Sequence, residues 1–189
     1  MISVQVAFAA LRAALETAGI RFAVGGSWAS AAFGEPRFTN DLDILADLTP
    51  DNLDRFLSLL PREFVFAKEE ARNAVRLGRP FNIIYIPVVF KFDLFSARAF
   101  PLGLQELDRA VLLAAPEISG DPLPFVTPED ILLAKLHWFR EGGEVSTVQW
   151  RDIQGILRNL RDTLDRTYLN VNAASLGVLP LLRRAFDET

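Results

Sequence analysis

The spacing of apolar residues predicts a helix at the start of the chain. Four apolar residues fall on one face of that helix: Phe8, Leu11, Leu15 and Ala18. Gly19 follows them and is placed to end the helix. A short apolar run at 20–24 predicts a buried strand, and the glycine-containing turn after it leads into a second predicted helix that stops at Gly34.

The middle of the chain predicts strands that alternate with helices. Residues 41–45 alternate carboxylates with aliphatic residues, which is typical of a strand with two unlike faces. Two runs rich in β-branched and aromatic residues predict further strands at 81–86 and 88–95. The other elements predicted here are a short strand at 64–66 and helices over 50–60, 68–77 and 104–113.

The last third of the chain has a helical pattern. A Pro- and Gly-rich segment at 116–124 predicts a linker between two parts of the chain. The helices expected after it span 127–141, 147–160 and 173–186. We therefore expect an α/β domain over 1–115 and a helical subdomain over 125–189.

Composition and charge exclude several classes of protein. Of the 189 residues 50% are hydrophobic, so the chain can bury a core and is not intrinsically disordered. The absence of cysteine and the single histidine, His137, exclude thiolate chemistry and histidine-rich metal sites. A net charge of −4 argues against a dedicated DNA-binding protein, although a local basic patch could still handle RNA or a nucleotide. No run of 18 apolar residues and no basic secretory start are present, so we expect a cytoplasmic protein that does not enter the membrane.

Two carboxylates on the predicted strand at 41–45 are candidates for metal binding. Asp41 and Asp43 are two positions apart, so they project from the same strand face, roughly 6–7 Å apart. Such a pair repels unless a cation lies between its members, and hard divalent cations such as Mg²⁺ are its natural partners. About one Asp-x-Asp is expected here by chance, and the glycine turn at 25–27 taken alone is an ordinary tight turn. Together, however, the turn offers N–H groups for a phosphate at a helix start, and the acids offer a metal site.

The same segment resembles a known signature. Residues 20–45 contain IRFAVGGSWASAAFGEPRFTNDLDI, in which an apolar strand, Gly-Gly, a helix and Asp-x-Asp follow one another. This order resembles that of the DNA polymerase β-like nucleotidyltransferase superfamily. The part GEPRFTNDLDI is similar to its minimal bacterial branch, which includes abortive-infection toxin nucleotidyltransferases and small antibiotic nucleotidyltransferases. Arg37 and Thr39 fill the positions that precede the acids there, whereas Gly26 stands where the family usually has serine and Ser27 is displaced by one.

Later motifs extend the resemblance towards the C-terminus. Lys91 and Asp93, in VVFKFDLF, are similar to a Lys-x-Asp element of the toxin-like branch. Lys135, in TPEDILLAKLHWF, and Asp152, in WRDIQGIL, resemble functional positions on two family helices. Only three of the twenty basic residues are lysines, and two of them fall on these motifs.

The resemblance implies a nucleotidyltransferase-like mixed sheet flanked by helices, and transfer of a nucleoside monophosphate from an NTP to a hydroxyl group. The implied ligands of one or two Mg²⁺ ions, or of Mn²⁺ in their place, are Asp41, Asp43 and Asp93. The implied catalytic residues are these three acids with Lys135 and Asp152, and the implied nucleotide-binding residues are Gly25, Gly26, Ser27, Arg37, Thr39 and Lys91. The implied partners are the NTP, an acceptor that is a tRNA, a protein or a small molecule, and, from the toxin branch, an antitoxin protein.

Each later motif also has a simpler structural interpretation. The strand with Lys91 and Asp93 can be an edge strand with a solvated face. Lys135 can extend along a half-buried helix, and Asp152 can form a salt bridge with Lys135 or an arginine. For the whole chain, the alternatives are a catalytically inactive nucleotidyltransferase fold that serves as a binding or regulatory partner, and an unrelated α/β protein.

The helix that carries Lys135 also contains two residues that could line a substrate pocket. They are His137 and Trp138. We favour the simpler interpretation, in which Trp138 belongs to the core and His137 lies on the surface.

Overall fold

The computed structural model describes residues 3–36 and 39–189. Within them the α-helices are α1 (Val4–Thr17), α2 (Gly26–Phe33), α3 (Pro50–Leu59), α4 (Lys68–Leu77), α5 (Gly103–Arg109), α6 (Pro128–Glu141), α7 (Thr147–Leu160), α8 (Arg166–Ser175) and α9 (Leu179–Asp187). The strands are β1 (Phe22–Val24), β2 (Asp41–Ala46), β3 (Phe64–Val65), β4 (Phe81–Tyr85), β5 (Phe90–Ser96), β6 (Val111–Leu113) and β7 (Leu123–Phe125). None of these helices is long and apolar enough to cross a membrane.

Contacts between residues divide the chain into two compact units. The sheet unit comprises the residues up to Val24 and Asn40–Phe125, and it contains the strands with α1, α3, α4 and α5. The helical unit comprises Gly25–Thr39 and Val126–Thr189, and it contains α2 and α6 to α9. The third boundary, between Phe125 and Val126, lies just after the linker expected at 116–124, but α2, which we expected in the N-terminal domain, groups with the C-terminal helices.

The strands of the sheet unit form one mixed sheet in the order β3-β4-β5-β2-β1-β7-β6. β2 and β5 pair in parallel, whereas β1 is antiparallel to β2 and β4 is antiparallel to β5. β7 runs parallel to β1 and antiparallel to β6. The prediction of a mixed α/β fold is confirmed.

Apolar and charged residues alternate over 41–44 of β2 and 91–94 of β5, so these parts of the two strands have one buried face and one partly exposed face. The fully buried side chains are Leu42, Ile44, Phe92 and Leu94. The partly exposed residues between them are Asp41, Asp43, Lys91 and Asp93. Burial of a large apolar side chain contributes about 1.5–3 kcal/mol, so the core beneath these strands holds the charged face in place.

Local capping explains where α1 ends and where α3 begins. α1 ends before Gly19, whose φ of 73° is accessible to glycine at little cost. At the start of α3, the hydroxyl of Thr49 accepts a hydrogen bond from the N–H of Asn52, and the Asn52 side chain accepts one from the N–H of Thr49. This reciprocal cap satisfies backbone groups that a helix start otherwise leaves without partners.

One predicted helix of the sheet unit is shorter than expected. The helix predicted over 104–113 ends at Arg109, because residues 111–113 form β6 and pair with β7. The apolar residues there continue the helical pattern in the sequence. Pairing with a strand ten residues further along overrides that local preference.

The last predicted helix, over 173–186, is instead two helices. Gly177 adopts a φ of 70° after the end of α8, and Pro180 lies in the first turn of α9. Glycine with positive φ ends helices, and proline is tolerated where the first N–H groups have no helical acceptor. α8 also begins earlier than expected, because the side chain of Asp165 caps it by accepting from the N–H of Tyr168 at 2.9 Å.

In the helical unit, two glycines allow α2 and α7 to approach closely. A Cβ on Gly34 would lie 2.9 Å from the carbonyl oxygen of Ser30 and 3.0 Å from the backbone nitrogen of Ile156. A Cβ on Gly155 would lie 3.2 Å from the backbone nitrogen of Glu35. The end of α2 is therefore packed against α7 at backbone distance, which a larger residue at 34 would prevent.

Candidate functional site

Four charged residues share the partly exposed face of the two central strands. In the parallel register of β2 and β5, Asp41 pairs with Lys91 and Asp43 pairs with Asp93. Side chains at paired positions project to the same side of a sheet, so Asp93 lies on the same face as Asp41 and Asp43. We call these four residues the carboxylate face.

The Lys91 ammonium lies between two of these acids. Its Nζ is 2.6 Å from Oδ2 of Asp93 and 3.4 Å from Oδ2 of Asp41. The hydrogen bond to Asp93 raises the pKa of Lys91 above its usual value, against the lowering effect of partial burial. The interpretation of this strand as an edge strand is wrong, since β5 pairs with a strand on each side.

The chemistry of this face suits a hard cation. Carboxylate oxygens are the ligands that Mg²⁺ prefers, and two of them already hold a positive group. In residues 3–36 and 39–189, no group of three or more His, Cys, Asp or Glu side chains stands ready to hold a metal ion. The positive group between Asp41 and Asp93 is the Lys91 ammonium, and the metal site stays a prediction.

The glycine turn predicted to bind phosphate forms the start of α2 in the helical unit. Gly25 is the residue before the helix, and Gly26, its first residue, has a φ of 52°. The hydroxyl of Ser30 donates to the carbonyl oxygen of Gly26 at 2.8 Å, which fixes the first turn. Gly25 has no side chain that could cap the helix, so the backbone N–H groups and the positive end of the helix dipole are not covered by its own cap residue.

The nucleotide contacts predicted for the two residues just before the acids, Arg37 and Thr39, both stay predictions. Thr39 stands two positions before β2 begins at Asp41. Arg37 lies outside the described residues, so its predicted nucleotide contact stays a prediction.

Lys135 and Asp152 form a buried ion pair in the helical unit. Nζ of Lys135 donates to Oδ2 of Asp152 at 2.8 Å, and the two side chains are only 10% and 6% exposed. Of the simpler interpretations, the salt bridge of Asp152 is therefore present, whereas Lys135 does not extend along a half-buried helix to solvent. The two residues are 17 positions apart in sequence, and the packing of α6 against α7 brings their side chains into contact.

The interpretation of Trp138 as a core residue is wrong. Trp138 is 47% exposed, and His137 is half-buried with its ring edge-on to Trp138 at 5.2 Å. The buried face of α6 is formed by Leu132, Leu136 and Phe139, and Trp138 lies off this face. Burial lowers the pKa of His137 below its usual value.

Sequence reasoning missed Glu35, which joins the segment after α2 to α7. Its carboxylate accepts hydrogen bonds from Arg158 at 2.6 Å and from Nε of Arg151 at 3.1 Å. These hydrogen bonds hold the pKa of Glu35 below its usual value. Arg151 and Arg158 are seven positions apart and so lie on one face of α7. This spacing was the one feature of the sequence that could have indicated an acidic partner for both arginines.

Solved structures with a similar fold are nucleotidyltransferase-like. The chain matches an antigenic nucleotidyltransferase-like protein from Paracoccidioides brasiliensis at 19% identity and a TM-score of 0.55, over 98% of this chain and 92% of that one. It matches the antibiotic-resistance factor ANT(2'')-Ia at 18% identity and a TM-score of 0.50, over 98% of both chains. A crystal structure of ANT(2'')-Ia in complex with adenylyl-2''-tobramycin matches at 16% identity and a TM-score of 0.52, over 91% of this chain and 95% of that one. No family model and no curated protein matches the sequence.

Proposed function

We propose that this protein is a Mg²⁺-dependent nucleotidyltransferase that transfers a nucleoside monophosphate from an NTP to a hydroxyl group. The observation that carries the proposal is the pairing of Asp43 with Asp93, beside Asp41, on one partly exposed sheet face. Like charges directly opposite each other destabilise a sheet. A face that collects three acids is therefore better explained by a ligand than by stability, and the fold of the structural neighbours supports the same function.

The proposed reaction forms one bond and breaks one. The acceptor oxygen attacks the α-phosphorus of the NTP, the bond from this phosphorus to the oxygen that bridges to the β-phosphate breaks, and pyrophosphate leaves. One carboxylate of Asp41, Asp43 and Asp93 takes the proton of the acceptor hydroxyl, and all three would hold the metal. When bound, Mg²⁺ would supply positive charge that neutralises the phosphates and the leaving group.

We assign the β- and γ-phosphates to the start of α2. Gly25, Gly26 and Ser27 provide a helix N-terminus whose backbone N–H groups and dipole favour an anion. Arg37 and Thr39, which the resemblance places at the nucleotide, complete this proposed binding segment.

Lys135 and Asp152 are proposed as a coupled pair in the same function. The resemblance gives Lys135 the task of neutralising charge on the phosphates, and the buried Asp152 carboxylate holds its ammonium in one place. In this proposal Asp152 is a positioning residue that acts through Lys135.

The acceptor and the partners belong to the proposal as a set of candidates. One structural neighbour, ANT(2'')-Ia, was solved in complex with adenylyl-2''-tobramycin, a small molecule that carries an adenylyl group. A small molecule of this kind, a tRNA and a protein are the acceptors to be tested, in a cytoplasmic setting. An antitoxin protein is the candidate regulatory partner.

Transfer of an α-³²P label tests the proposal directly. Each of the four NTPs is incubated with the protein, Mg²⁺ and one acceptor class at a time, and label attached to the acceptor is measured. We expect transfer from at least one NTP, and loss of transfer in EDTA and in Asp93→Asn. Lys68→Met, which changes a half-exposed lysine on α4, is the matched control and should transfer like the wild type.

The alternative of an inactive binding or regulatory partner gives a different result. Such a protein is stabilised thermally by an NTP with Mg²⁺ but transfers no label to any acceptor. If neither stabilisation nor transfer occurs with any NTP, the proposed function is wrong.

A further inference from the structure

We propose that the Lys91 ammonium is the resident counterion of the carboxylate face and leaves its place when a divalent metal binds there. This inference deepens the proposed function, on which it rests for the identity of the metal-binding residues. It rests on one contact set: Nζ of Lys91 lies 2.6 Å from Asp93 and 3.4 Å from Asp41.

The charges of the face explain why it holds a lysine. Asp43 and Asp93 are directly paired across β2 and β5, and Asp41 is next along its strand on the same side. Three carboxylates this close raise the free energy of the folded protein unless a positive group lies among them. Lys91, which pairs with Asp41 in the register, supplies that group from within the sheet.

The same position excludes a second cation. Mg²⁺ binds carboxylate oxygens at about 2.0–2.1 Å and demands nearly octahedral surroundings. An ammonium in contact with Oδ2 of Asp93 and Oδ2 of Asp41 fills the space between these two oxygens. The two positive groups would also repel each other across a few ångströms. A metal shared by Asp41 and Asp93 therefore requires Lys91 to move.

Lys91 has room to move because its side chain is only partly covered by other residues. Its side chain is 40% exposed, and a lysine has a flexible four-carbon stem. The buried Lys135 shows the contrast, since its side chain is 10% exposed. Once displaced, the Lys91 ammonium becomes available to an anionic group such as an NTP phosphate, which would account for the nucleotide-binding role that the resemblance implies.

The first test of the inference is the affinity of the protein for Mn²⁺, measured in the absence of nucleotide. Binding of Mn²⁺ is measured by titration calorimetry on the wild type, Lys91→Met and Lys68→Met. Lys68 is a suitable control because Lys68→Met removes the same unit of charge as Lys91→Met. Its side chain is 50% exposed, and its Nζ lies 4.0 Å from the carboxylate of Asp54, which is not part of the carboxylate face. We expect Lys91→Met to bind Mn²⁺ about tenfold more tightly than the wild type, because a competing unit charge a few ångströms away is gone. Lys68→Met should bind as the wild type does.

A second measurement on the wild type covers the case in which Lys91→Met does not fold. The chain has three lysines, so acetylation of each by an amine-reactive ester can be followed by peptide mass spectrometry. Mn²⁺ should raise the rate of Lys91 acetylation severalfold over that in EDTA and leave Lys68 unchanged. Equal Lys91 rates at a Mn²⁺ concentration that saturates the protein would overturn the inference, as would equal Mn²⁺ affinities of Lys91→Met and the wild type.

These outcomes are separate from those that test the proposed function. Metal-dependent acetylation of Lys91 without transfer of any nucleotide supports the inference and refutes the transferase. Nucleotide transfer with no effect of Lys91 on Mn²⁺ affinity supports the transferase and refutes the inference.

Discussion

The carboxylate face and the buried pair of Lys135 and Asp152 use the same kinds of residue in opposite ways. The buried pair has one charge of each sign, with side chains 10% and 6% exposed. The carboxylate face has three acids and one lysine, and the side chains of Lys91 and Asp41 are 40% and 36% exposed.

The difference lies in what the removal of one charge leaves behind. Removing either member of the buried pair leaves an unbalanced charge away from water, which is costly. Removing one acid from the carboxylate face brings the face closer to neutrality. The comparison therefore separates a buried pair whose two charges balance each other from a partly exposed cluster with a net negative charge, and the predictions for Lys135→Met and Asp43→Asn test it through stability.

The largest expected effect is that of Lys135→Met. It leaves the Asp152 carboxylate buried without its ammonium, and we expect a loss of about 3–5 kcal/mol in the free energy of unfolding, measured in urea. Replacing both residues by apolar ones, as in Lys135→Met with Asp152→Leu, should recover most of the loss. Lys68→Met, the same change at a half-exposed site, should cost less than about 1 kcal/mol. Equal effects of the two lysine variants would contradict the comparison.

Gly26→Ala should have the next largest effect. The φ of 52° at Gly26 is strained for alanine, by about 1–2 kcal/mol. Gly25→Ala is the matched control, because its φ is −123° and no atom lies within 4 Å of an added Cβ. Thermal unfolding of the two variants should differ accordingly. If both variants melt together, the turn does not depend on the conformation of Gly26.

Asp43→Asn should change stability little, and in the opposite direction to Lys135→Met. It removes one of two directly paired like charges while it keeps the shape of the side chain. In EDTA we expect the variant to melt with or slightly above the wild type, by less than about 1 kcal/mol. A variant that melts several degrees lower in EDTA would show that Asp43 has a structural role.

The smallest expected effect is a dependence of stability on pH that is due to His137. Its pKa is lowered in the folded protein, so the unfolded chain binds more protons below the usual value near 6.5. Stability should therefore fall as the pH drops below about 6.5 and level off once the pH is below the folded pKa. The change in Tm should be at most about 3 °C, and it should be absent in His137→Gln. Since this is the only histidine, a persisting change in the variant would exclude histidine as its cause.

Elements with local signals were predictable from the sequence, and elements that depend on distant partners were not. The starts of α3 and α6 are marked by a capping threonine followed directly by a proline, at Thr49-Pro50 and Thr127-Pro128. All the residues that form such a signal are neighbours in the sequence. β6 exists only because residues 111–113 pair with 123–125, and no local pattern contains that information.

The candidate site divides in the same way. Strand alternation places Asp41 with Asp43, and Lys91 with Asp93, on one face of each strand. The register that sets Asp43 beside Asp93, and the position of the Lys91 ammonium between two acids, depend on how β2 and β5 pair. The ion pair across 17 residues from α6 to α7 likewise needed the packing of two helices.

One titration can show whether the acids of the carboxylate face bind an NTP through Mg²⁺. Titration calorimetry is done with the four NTP analogues that carry a non-hydrolysable α,β-methylene group, on the wild type, Asp93→Asn and Lys68→Met. We expect at least one analogue to bind the wild type and Lys68→Met in Mg²⁺, and we expect this binding to be lost in EDTA and in Asp93→Asn. Binding that survives both EDTA and Asp93→Asn, or no binding of any analogue to the wild type, would contradict this expectation.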